Sequence, residues 1–234
     1  MTGTAKTFRQ CSIAPSVDRP DMNRRALLAL AAGTGLPAAL RSALAQTSAG
    51  QGVRTARGEV IVNGQAAGAG TPVRPGDTIV LGKDALATFV VGQDAFLMRG
   101  NSRAELVGSG ALVAAVQLVT GALLGVFGRG ELRLATATAS IGIRGTGAYM
   151  EADPARTYFC LCYGTAEVAA TQGGARESYS TRHHESPRYI YGDGRKEAIV
   201  PASVSNHTDA EVILLESLVG RSPPQTFMDS PFRY

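Results

Sequence analysis

The stretch Ala87-Thr88-Phe89-Val90-Val91-Gly92-Gln93-Asp94-Ala95-Phe96-Leu97-Met98 decides the fold. Two apolar runs, rich in β-branched and aromatic side chains, flank a turn of Gly, Gln and Asp. Each run is too short for a stable helix, and together they read as two strands joined in a hairpin. The same grammar extends outward. Glu59-Val60-Ile61-Val62 runs into Asn63-Gly64, and Thr78-Ile79-Val80-Leu81 follows Pro75-Gly76-Asp77. The apolar run from Ala111 to Val126 suits a helix or a strand by hydrophobicity alone. Gly121 and Gly125, with Val113, Val116 and Val119, favour strands. The chain has 28 Gly, 11 Pro and no Trp in 234 residues, a mix suited to many short strands joined by tight turns. The expected class is all-β, with a β body over residues 46–203.

The pattern changes after residue 203. Thr208-Asp209-Ala210-Glu211 has the spacing of a capping box, in which Thr caps the first turn and Glu reaches back. Val212, Leu215, Leu218 and Val219 then fall on one helical face. Gly220 stands where a C-terminal cap belongs, and Pro223-Pro224 blocks continuation. One helix is expected near 209–219, packed on the β body, within a C-terminal segment 204–234.

Charge narrows the partners. Residues 1–45 hold six Lys and Arg against two Asp, so the remaining 17 basic and 17 acidic side chains balance. A nucleic-acid surface needs an excess of positive charge facing phosphates, so no nucleic-acid partner is expected.

The N-terminal 45 residues read as an extension followed by an export signal. Arg24-Arg25 form a charged head, Ala26 to Leu40 is an uncharged and mostly apolar run, and Ala43-Leu44-Ala45 supplies a small-x-small cleavage pattern. Cleavage is expected before Gln46, with Met22 as the expected start. The apolar run falls short of the roughly 20 residues a spanning helix needs, so no transmembrane segment is expected in the mature chain. Arg24-Arg25 followed by Ala26, Leu27 and Leu28 resembles a twin-arginine signal, although Asn23 precedes the arginines and no Phe follows them. The expected location is periplasmic or secreted.

Further motifs carry a family resemblance. Val73-Arg74-Pro75-Gly76-Asp77-Thr78-Ile79, Leu81 to Phe89, Asn101-Ser102 and Val119 to Leu123 each match part of a pattern found in FecR-type domains. Leu134-Ala135-Thr136-Ala137-Thr138-Ala139-Ser140-Ile141-Gly142-Ile143-Arg144-Gly145-Thr146 is the fullest match. It lacks the usual Pro after Thr136, and Ala85 stands where Ser is usual. The chain thus resembles the FecR type over residues 53–170. That resemblance implies a solenoid or roll of short strands outside the cytoplasm, responding to an envelope protein or a small ligand. The cytoplasmic anti-sigma segment of the signalling members has no counterpart in this reading, so anti-sigma activity is not carried over. Arg144 is the one charge in its apolar stretch. It is expected to cap carbonyls or to pair with Glu151 or Asp153, the alternative being contact with a partner.

A second constellation lies late in the chain. Cys160-Leu161-Cys162 sits in a strand-like run, Thr157 to Tyr163, where period-2 geometry puts both sulfurs on one face and Phe159, Leu161 and Tyr163 on the other. His183, His184 and His207 are the chain's histidines. Two thiolates and one or two imidazoles suit Zn or Cu(I), so Cys160, Cys162, His183, His184 and His207 are the candidate metal ligands. Neighbours on a regular strand face opposite ways, so only one of His183 and His184 serves unless the chain turns there. A disulfide between the two cysteines, or inert structural roles, are the alternatives in an oxidising compartment. No nucleophile elbow or phosphate loop is present, and Gly142 to Gly147 lacks the strand–helix setting of a cofactor loop. The expected function is non-enzymatic: a binding or sensing domain acting by contact. The alternatives are a metal or thiol-redox protein and an envelope scaffold.

Overall fold

A computed structural model describes residues 50–231 and residue 234. The expected export signal and the extension before it lie outside the described residues. Among the described residues the fold is mostly β-sheet, with one short helix near the C-terminus. The strands are β1 (Gly52–Arg57), β2 (Val60–Val62), β3 (Gln65–Ala66), β4 (Thr78–Leu81), β5 (Leu86–Val91), β6 (Asp94–Arg99) and β7 (Ser102–Ser109). They continue as β8 (Leu112–Val126), β9 (Glu131–Ala135), β10 (Ala139–Ala152), β11 (Arg156–Ala170), β12 (Arg176–Thr181), β13 (Arg188–Tyr191) and β14 (Ile199–Pro201). Helix α1 (Asp209–Leu218) follows, and α2 (Gln225–Met228) is a single turn. Among these residues no helix is long and apolar enough to cross a membrane.

The hairpin read from the sequence is β5–β6, antiparallel with Phe89 opposite Phe96. Their rings stack with centroids 4.9 Å apart. Gly92 turns the hairpin in the left-handed region, at φ 62°.

Most strands are short as expected, but β8, β10 and β11 are long, and each changes partners partway along. The early part of β8 pairs with β7, and residues 121–126 pair with β10. The early part of β10 pairs with β9, and residues 147–152 with β8. In β11, residues 156–159 pair with β13 and residues 164–169 with β12. A left-handed glycine marks each change: Gly121 at φ 86°, Gly145 at 58° and Gly164 at 103°. An L side chain is strained there, so these glycines let the long strands bend from one half of the open sheet into the other.

Bending brings two halves of the sheet face to face. Phe89, Phe96, Met98, Leu118, Leu123, Met150, Phe159 and Leu161 meet in the main core. Alternate residues of the same strands point the other way: Val90, Leu97, Leu124, Val126, Tyr149, Tyr158 and Cys160. That second face is apolar as well, so it must be covered. Val212, Leu215 and Phe227 of the C-terminal segment cover it.

Helix α1 follows its sequence signals closely. Thr208 accepts a hydrogen bond from the Glu211 N–H, and the Glu211 carboxylate accepts one from the Thr208 N–H. At the other end Gly220, at φ 69°, closes the helix. Its N–H donates to the Ser217 carbonyl, and the Arg221 N–H donates to that of Glu216, a Schellman motif.

Arg144 departs from expectation. It is exposed. Glu151 instead accepts hydrogen bonds from Tyr149 and Asn206, and Asp153 pairs with Arg156. The carboxylates proposed for Arg144 are engaged by nearer groups.

Candidate functional site

The second core cluster contains a polar knot. Strand β11 supplies Cys160 and Cys162, both fully buried and both free thiols. The register of β10 and β11 slips between Gly147↔Tyr163 and Ala148↔Leu161, which leaves Cys162 as the extra residue of a bulge. Phe159 and Leu161 join the main core as expected. Tyr163 does not: past the bulge it lies on the cysteine side, where its hydroxyl donates to Glu216.

The histidines arrive from two directions. After β12 the chain returns to β11 through the His184 N–H, which donates to the Cys162 carbonyl at 3.0 Å. His184 adopts φ 54°, so the chain turns here and both neighbouring imidazoles face inward. His207 comes from the segment just ahead of α1. Its ring stacks on Tyr149 with centroids 4.5 Å apart. The loop before it is pinned by Tyr158, whose hydroxyl donates to the Ser203 carbonyl and accepts from the Ser205 N–H.

The five candidate ligands therefore converge, but not equally. Cys160, Cys162, His184 and His207 place one donor atom each within 4.8 Å of one another. The His184 Nδ1 lies 3.4 Å from the Cys160 sulfur and 3.0 Å from the His207 Nε2. A tetrahedral zinc site, with bonds of about 2.0–2.3 Å, needs donor separations of about 3.3–3.8 Å. His183 falls outside this group. It joins His184 and Asp209 in a second group.

Hydrogen bonds at the far side of each ring set the protonation pattern. The His207 Nδ1–H donates to the Ser205 carbonyl at 2.7 Å. The His184 Nε2–H donates to Asp209 at 3.2 Å, and His183 Nε2–H donates to both oxygens of the same carboxylate at 3.0 and 3.1 Å. The remaining nitrogens, His184 Nδ1 and His207 Nε2, then turn lone pairs toward each other. Two lone pairs at 3.0 Å repel unless a proton or a cation lies between them. Burial pushes the Cys160 thiol up, but hydrogen bonds from Cys162, His184 and His207 outweigh it and hold it well below the ordinary thiol range. Burial pushes Cys162 up, and the neighbouring Cys160 adds to this. Two sulfurs and two imidazole nitrogens at these separations are a donor set suited to a soft metal ion, which takes the place of protons on its ligands.

Asp209 was not among the candidates read from the sequence. It is the first residue of α1 and is nearly buried. A carboxylate that orients a ligating imidazole is a common outer partner of metal sites. Its one sequence signal was its place in the first turn of the helix, two residues after His207.

No family model matches the chain, and no curated protein matches it. Among solved structures, two crystal structures of a "putative anti-sigma factor" from Parabacteroides distasonis ATCC 8503 are similar. Each has a TM-score of 0.45 and 9% identity and covers 54% of this chain. The chain spans 59% of the length of these neighbours.

Proposed function

We propose that this chain is an exported, non-catalytic FecR-like domain that senses or regulates through contacts, and that its responsive site is a transition-metal ion held by Cys160, Cys162, His184 and His207. One observation carries the metal reading. The His184 Nδ1 and His207 Nε2 nitrogens face each other at 3.0 Å beside the Cys160 sulfur in a fully buried pocket, with the far ring nitrogens engaged by Asp209 and Ser205. A thiolate–imidazole set of this kind suits Zn or Cu(I). All four positions come from protein, with no open position for substrate, which fits a structural or sensing ion rather than a catalytic one. The FecR reading rests on the sequence motifs between residues 53 and 170.

Metal analysis of the full chain, purified without a histidine tag, tests the proposal. One zinc or copper per chain is expected, falling to background in Cys160→Ser and His207→Ala. Wild-type protein without stoichiometric metal overturns the metal reading.

A further inference from the structure

We infer that the ion is a latch: its binding closes the C-terminal segment over the outer face of the sheet, and its loss releases that segment. The inference rests on the metal reading above and names how the site is regulated.

The donor set is divided between two bodies. Cys160 and Cys162 lie on β11, and His184 is tied to β11 through the Cys162 carbonyl. These three belong to the β body. His207, 23 residues beyond His184, belongs to the covering segment and leads directly into α1. An ion that takes all four donors cross-links cover to sheet at the start of the helix.

The helix of the cover depends on being docked. Helix α1 has 10 residues, below the roughly 12–15 an isolated helix needs to persist. Its last turn carries no basic side chain to offset the helix dipole. Ile213 and Leu214 remain 38% and 47% exposed, so only one side of the helix contributes apolar contact. Polar ties join cover and sheet at Asp209, Glu216, Asn206 and the Ser203–Ser205 loop, but those made by two arginines leave donors unsatisfied. Arg99 pairs with Glu211 at 2.8 Å while its Nε has no partner. Arg221 pairs with Glu216 at 2.7 Å and donates to the Gln93 carbonyl while its Nη2 has none. Each orphaned donor costs what its desolvation costs, which reduces the net gain from docking.

Beneath the cover lies a continuous apolar face: Val90, Leu97, Leu124, Val126 and Tyr158. Without the cover this face meets water. Metal occupancy and exposure of the face are therefore thermodynamically linked, and the linkage is reciprocal. Anything that loosens docking must also weaken metal binding. At free zinc about 100 times the dissociation constant, the closed state gains about 100-fold in population.

Hydrogen exchange of the full chain, with one equivalent of zinc and then with excess chelator, tests the latch. Amides of Val212 to Gly220 are expected to exchange at least tenfold faster after chelation, with β7 and the early part of β8 unchanged. The second measurement is the zinc affinity of Leu215→Ala, which removes no ligand atom. Faster exchange in α1 with at least tenfold weaker zinc binding is expected. If wild-type protein binds one zinc and α1 exchange is unaffected by chelation, the latch fails and the metal reading stands. If Leu215→Ala frees α1 and binds zinc at full affinity, the latch also fails. If no zinc or copper binds at all, it is the metal reading that falls.

Discussion

Asp94 shows how one residue departs from the rule that charge stays outside. It begins β6, is 6% exposed, and accepts a hydrogen bond from the Gly128 N–H at 2.8 Å. Burial raises its pKa from 3.8 to about 6, against the lowering effects of Gly128 and Arg221. The folded protein therefore binds this proton more tightly than the unfolded chain. Stability from this group is greatest below pH 3.8 and declines as the pH rises to about 6. Asp94→Asn keeps the acceptor and removes the charge. It is expected to stabilise the protein at pH 7 by up to about 3 kcal/mol, at 1.36 kcal/mol per pKa unit, and to flatten the decline. Urea unfolding of metal-free protein at pH 4 and pH 7 measures both; wild-type values at each pH would dismiss the idea. At this scale the candidate ligands were legible as residue types. Cys160, Cys162 and the three histidines stood out because they are rare and of one chemistry. Asp209 was not legible, because an Asp after a Thr cap is ordinary helix grammar, and only its contact with two buried imidazoles marks it.

At the scale of elements, α1 is the part that local sequence described best. A cap satisfies helix-end groups using residues within a few positions, so Thr208, Glu211 and Gly220 could be assigned by spacing alone. Thr208→Ala removes the side-chain acceptor at the helix start and is expected to cost about 1 kcal/mol. Because His207 is the preceding residue, the same change should speed exchange in α1 more than in β7. Equal protection in both would show that the cap contributes nothing to docking. Strand β11 was less legible. Its alternation placed Phe159 and Leu161 correctly but Tyr163 on the wrong face. A bulge at Cys162 shifts the pattern by one residue, and the sequence carries no mark of it beyond Gly147 and Gly164 nearby. Gly147 is where the Tyr163 ring packs, and a Cβ there would come within 2.6 Å of that ring.

For the whole molecule, the proposal of export makes a separate prediction. Edman sequencing of chain recovered from the periplasm should begin at Gln46. A chain that stays in the cytoplasm with residues 1–45 attached would remove export from the proposal and leave the metal site untouched. The all-β class, the hairpin at Gly92 and the capped helix at Thr208 were determined by the sequence alone, because alternation, turns and caps depend on neighbours a few residues apart. Tertiary structure alone decided how β8, β10 and β11 bend into two halves and which face needs a cover. It also decided that His184 and His207, 23 positions apart, meet over Cys160. Those outcomes depend on contacts between distant segments, each fixed only once the others are in place, and no short stretch of the chain encodes them.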